Sequence, residues 1–136
     1  MTEEFVTLET AKLLKEKGFK EDVFTFYEVD CVEGDMILSE TYDESENFNE
    51  KNDCLSAPTQ SLAQKWLRET KNIHICIYNC ACGYGYELSK ADNGTHIASS
   101  AYKGTNDGGE WDTYEEALEA GLQEALKLIG LWKQQK

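Results

Sequence analysis

Four residues near the middle of the chain carry the donor atoms of a soft-metal site: His74, Cys76, Cys80 and Cys82. Thiolates and imidazole suit zinc, which takes four ligands in a tetrahedron. His74 and Cys76 stand two apart in an alternating apolar stretch, so they share one strand face. Cys80 and Cys82 fall in the loop that follows. Closed zinc sites pair two knuckles across a longer span. Here all four candidates lie within nine residues, and one strand face with a short loop can hardly wrap an ion. The plain reading makes Cys76 a small core residue and the loop thiols incidental. A cysteine nucleophile would need His74 or His96 close enough to lower its pKa, and neither histidine stands in a recognisable local signature. No cofactor is expected.

Other chemistries find less support. Carboxylates are abundant, but the stretch Asp43–Asp53 reads as a solvated loop and the pair Glu115–Glu116 as a helix N-terminus. Asp43, Ser45 and Asn47 mimic the start of a calcium loop, yet Phe48 stands where that loop needs glycine. Neither a GxGxxG nor a GxxxxGK[ST] phosphate loop is present. The glycine-rich segment Gly104–Gly109 precedes a helix, but Asp107, Glu110, Asp112, Glu115 and Glu116 surround it and would repel an anion. The remaining candidates are aromatic. Tyr84, Tyr86 and Tyr102 could line one sheet surface, and Trp111 sits in a polar loop where its burial is not obvious. Such residues serve either as core or as a protein-binding face.

The composition narrows the partners. The chain has 136 residues, 26 acidic against 13 basic, for a net charge of −13. Arg68 is its single arginine. A chain so acidic, without arginine forks, is a poor reader of nucleic acid and a poor match for an anionic membrane. No run approaches the length of a membrane span. The start, Met1-Thr2-Glu3-Glu4, lacks the basic and apolar segments of a secretory leader, so the expected compartment is the cytoplasm. Five cysteines, an odd number, are then expected as reduced thiols. The acidic surface either meets a basic protein or serves solubility alone.

The elements that must position these residues are legible in part. A helix is expected over residues 7–17, with Thr7 as cap, Leu8, Ala11 and Leu14 as apolar stripe, and Gly18-Phe19 as its C-terminal cap. Residues 23–29 and 36–39 read as a hairpin around Glu33-Gly34-Asp35. The acidic run 43–53 reads as an exposed loop. A second helix follows from Pro58 or Thr59 to Lys71. Residues 73–78 form the strongest strand, and Tyr84, Tyr86 and Leu88 alternate in the next. Asn93-Gly94 is the signal of a two-residue type I′ hairpin, which would pair Leu88 with Ser99 and Tyr86 with Ala101. Thr113 to Glu116 is a capping box opening the last helix, whose stripe is Tyr114, Leu118, Gly121, Leu122, Ala125, Ile129 and Trp132. Gly121 costs about 1 kcal/mol relative to alanine inside a helix, so its use on that stripe is expected to be close approach to a neighbouring backbone. Gly130 is expected to cap or interrupt the helix. The fold class is α+β in one domain, an antiparallel sheet with helices packed mainly on one face, in the order α-β-β-α-β-β-β-α.

The stretches TLETAKLLKEKGF, SAPTQSLAQKWLRE, NIHICIY and TYEEALEAGLQEALKLI resemble a family of small uncharacterised bacterial proteins often carried on prophage or other mobile elements. That resemblance implies no activity and no site residue. Residues 84–129, with Thr113, Glu115, Glu116, Ala117 and Leu118, are also similar to the strand-strand-strand-helix domain of HicB-like antitoxins, although no DNA-binding tail follows the helix. The expected function is an acidic, non-catalytic protein-interaction domain, with the Tyr84–Tyr86–Tyr102 hairpin or the acidic loop as its contact. The alternatives are an inhibitor of a small basic toxin, or a zinc or thiol site around Cys76–Cys82.

Overall fold

Thr7, with extended backbone, caps α1 (Leu8–Glu16) by accepting from the Thr10 N–H through its hydroxyl. Ala11 and Leu14 are buried, as the stripe predicts. The helix ends where Gly18 takes a φ of +93°, a conformation open to glycine. Gly18 N–H then donates to the Lys15 carbonyl at 3.2 Å and Phe19 N–H to that of Leu14 at 2.9 Å. This reciprocal pair stops the helix and turns Phe19 into the core. The structure, a computed structural model, describes residues 3–30 and 32–134, with side chains through residue 130. Cys31 and the side chain of Trp132 lie outside the described residues.

The chain forms two compact units that meet in sequence at Thr59 and Gln60. In the first, β1 (Thr25–Val29) pairs antiparallel with β2 (Met36–Glu40), from Thr25↔Glu40 to Val29↔Met36. On its other side β1 pairs with a short strand absent from the sequence reading, β3 (Cys54–Ser56), giving the order β2-β1-β3. The acidic segment before β3 exposes its carboxylates, but it is pinned rather than loose. Phe48 is buried and stacks on Phe26 with ring centroids 4.1 Å apart. Asn49, in the same 3₁₀ turn (Phe48–Glu50), donates to the Phe19 carbonyl and accepts from the Ser56 N–H, both at 2.9 Å. Glu46 also bridges to Val23.

The second unit contains α2 (Gln60–Thr70), β4 (Ile73–Cys80), β5 (Gly83–Lys90), β6 (His96–Ser99) and α3 (Tyr114–Gln134). The three strands follow one another antiparallel in the order β4-β5-β6. In register, Ile75 faces Leu88 and Ile77 faces Tyr86, so these residues share the face that α2 and α3 cover. Pro58 precedes α2, its carbonyl accepting from the Val6 N–H at 3.0 Å. Thr113 caps α3, accepting from the Glu116 N–H at 3.1 Å and donating to the Glu116 carboxylate at 3.0 Å. Tyr114 is exposed rather than part of the buried stripe, which runs Ala117, Leu118, Gly121, Leu122, Ala125, Leu126 and Ile129. Gly130 neither caps nor interrupts α3, which continues to Gln134.

The class is therefore α+β with antiparallel strands, as expected. The predicted order holds with β3 added, and among the described residues six strands form two three-stranded sheets. The β5–β6 register differs from the one Asn93-Gly94 predicted. Leu88 pairs with Ala98 and Glu87 with Ser99, with a bulge after Leu88. A type I′ turn needs positive φ at both central residues. Gly94 has it, at +76°, but Asn93 does not. A four-residue loop forms instead, closed by the Lys90 N–H donating to the Thr95 carbonyl, while Asn93 Oδ1 accepts from the Thr95 N–H.

Candidate interaction surface

The soft donors are strung out rather than gathered. His74 and Cys76 project from the face of β4 opposite Ile73 and Ile75, as alternation requires. Cys76 is exposed, not the small core residue its apolar neighbours implied. Cys80 ends β4 and Cys82 sits in the two-residue turn to β5, both exposed as free thiols. Among the described residues, no three His, Cys, Asp or Glu side chains converge as a metal site. Nor is the turn set up for a thiolate. The Cys82 thiol is pushed above its ordinary value, by desolvation first, then by Cys80, Asp107 and Glu110. A reactive cysteine needs the opposite, an electropositive setting. His96 Nδ1 lies 3.1 Å from a Glu87 carboxylate oxygen.

The aromatic candidates separate into core and surface. Tyr86, expected as a contact, is 2% exposed. Its ring stacks on Trp111 at 5.8 Å. Its hydroxyl donates to Glu124 Oε1, and Lys103 Nζ donates to both oxygens of the same carboxylate at 2.7 Å. Tyr86 shares its sheet face with Leu88, so the covering helices bury both. Tyr84 and Trp111 exchange backbone hydrogen bonds at 2.8 Å. Trp111 thus acts as an extra rung beside β5 and is half-buried. Tyr84 is half-buried, edge-on to Tyr114 at 6.2 Å. Tyr102 alone stands out, 88% exposed. The three tyrosines therefore do not present one aromatic face.

More exposed apolar side chains stand in the first unit, on both faces of the β1–β2 hairpin and on its flanks. Phe24, Val29, Ile37 and Leu38 are 41–53% exposed, Val32 is 91% and Tyr42 is 96%. A lone exposed leucine means little, but this many large apolar side chains on one hairpin is the kind of surface partners cover. The charge around them has one sign. Residues 24–44 contain seven carboxylates and no lysine or arginine. The first unit, residues 1–59, holds sixteen carboxylates against five lysines, a net of −11. The second holds ten against eight basic residues, a net of −2. The acidity is thus concentrated where the apolar residues are exposed.

In sequence these residues look like ordinary β-formers, which hides their exposure. The available signal was the lack of alternation in β2. Met36, Ile37 and Leu38 are consecutive apolar residues in a strand too short to be buried on both faces. Among the described residues, no helix is long and apolar enough to cross a membrane. No protein-family model, curated protein or solved structure matches the chain.

Proposed function

We propose that this chain is a non-catalytic protein-interaction domain of the cytoplasm, which recognises a basic protein through the β1–β2 hairpin. The observation that carries this reading is the coincidence on residues 24–44 of exposed apolar side chains with seven carboxylates and no basic residue. Apolar groups at the centre of an interface supply affinity by leaving water, and the charged rim steers the encounter and rejects like-charged partners. Tyr42 and Val32 provide the former. Asp30, Glu33, Asp35, Glu40, Asp43 and Glu44 provide the latter.

A photo-crosslinking residue placed at Tyr42, and separately at the similarly exposed Tyr102 of the other unit, tests this in the cells that make the protein. Irradiation should join Tyr42 variants to one protein rich in lysine and arginine and leave Tyr102 variants unjoined. The reading falls if Tyr42 yields no adduct, or if the adduct forms as readily from Tyr102.

A further inference from the structure

We propose that the outer edge of β2 accepts an extended, lysine- or arginine-bearing segment of the partner as an added antiparallel or parallel strand. This binding mode rests on the hairpin's being the interaction surface.

The hydrogen-bond parity of the hairpin identifies the free groups. Thr41 N–H donates to the Phe24 carbonyl at 2.8 Å, and Asp30 N–H to that of Asp35. With Phe26 opposite Ser39 and Glu28 opposite Ile37, residues 35, 37, 39 and 41 turn their backbone groups toward β1. Met36, Leu38 and Glu40 turn theirs outward. β2 is the end strand of its sheet, and among the described residues none bonds those outward groups.

The opposite edge of the same sheet is treated differently. The Ala57 N–H donates to the Thr25 carbonyl, which sets Cys54 and Ser56 as the outward residues of β3. Both are capped by side chains. Lys15 Nζ donates to the Cys54 carbonyl at 2.9 Å, and the Ser56 N–H donates to Asn49 Oδ1. In the second unit the Ile75 carbonyl of β4, also an end strand, accepts from Gln64 Nε2 at 2.8 Å. Proteins commonly blunt their sheet edges. Here β2 keeps a bare row of alternating donors and acceptors, flanked by exposed Ile37 and Leu38. That is the arrangement strand addition uses, with backbone bonds giving affinity and side chains specificity.

Charge selects the occupant. A second copy would set two hairpins side by side, each with seven carboxylates and no base. A basic extended segment meets the same carboxylates with the opposite sign.

The test uses the full chain and a short synthetic peptide of alternating lysine and valine. Amide exchange should slow at Met36, Leu38 and Glu40 when the peptide binds. N-methylation of alternate peptide residues, which keeps charge and removes donors, should weaken binding roughly tenfold. Leu38→Pro should do the same, since proline is tolerated where an edge N–H faces solvent. Binding that is indifferent to both changes overturns strand addition while leaving the hairpin as an interaction surface. Absence of any binding also overturns it, and the crosslinking at Tyr42 then judges the surface separately. A dimer of the chain alone that Leu38→Pro dissolves would assign the edge to a second copy and overturn the basic segment.

Discussion

A single side chain shows how far residue type alone can mislead. Tyr86 has the chemistry of a contact residue, yet its ring is enclosed and its hydroxyl engages Glu124, the carboxylate that Lys103 also holds. Burial, and then the Glu124 carboxylate, push the Tyr86 phenol well above its ordinary value of 10.0. The sign follows directly. The fold holds the phenolic proton more tightly than the unfolded chain does. The stability this confers is therefore complete below pH 10.0 and is lost as the pH rises past it. In urea titrations the wild-type chain should lose stability above that pH more steeply than Tyr86→Phe. At neutral pH the variant should be weaker by about 1 kcal/mol, the worth of one hydrogen bond. Parallel curves above pH 10 would show the phenol to be unburied in solution. The thiols illustrate the same limit. Cys54 is buried and Cys76 exposed, although each has an apolar residue on at least one side in sequence. Which face of a strand is covered is decided by its neighbours in space, and these were not readable from spacing.

Elements whose determinants are local were legible. The Gly18-Phe19 cap and the Thr113–Glu116 cap both form as their residue patterns indicate, because each involves groups three to five residues apart. Elements decided at a distance were not. β3 has three residues and no periodicity, and it exists because β1 offers an open side and Asn49 ties its backbone. The β5–β6 register follows from the four-residue loop around Asn93 and the bulge after Leu88, neither of which spacing shows. Gly121 was legible as a close-approach position, but its neighbours are side chains rather than the expected backbone. A Cβ there would stand 3.1 Å from Tyr86 Cγ and 3.2 Å from Ile75 Cγ2. Both neighbours are buried, and Tyr86 is further held by Trp111 and Glu124. Gly121→Val should therefore destabilise the chain by about 2–3 kcal/mol, overpacking outweighing any gain in helix propensity. Unchanged urea midpoints would show that α3 stands further from the sheet.

At the scale of the whole molecule the net charge was plain from composition, but its partition was not. No proline- or glycine-rich linker marks the boundary at Thr59 and Gln60, so the contrast between −11 and −2 emerges only once the two units are known. The candidate site followed the same course. Its residues were visible as a hairpin, and its exposure was not. The unprotected edge of β2 has one more consequence, for the molecule's behaviour on storage. Open edges are templates for cross-β stacking, and charged gatekeepers are the usual restraint. Here the gatekeepers are carboxylates, so the restraint depends on acidity. Near the sequence's isoelectric point of about 4.5 the chain's net charge, and with it the repulsion between copies, vanishes, and Met36–Glu40 becomes the place where fibres would nucleate. Leu38→Lys, which sets a permanent charge on that edge, should lengthen the lag before fibre growth at this pH, as followed by dye binding, and an unaltered lag would place the nucleus elsewhere in the chain.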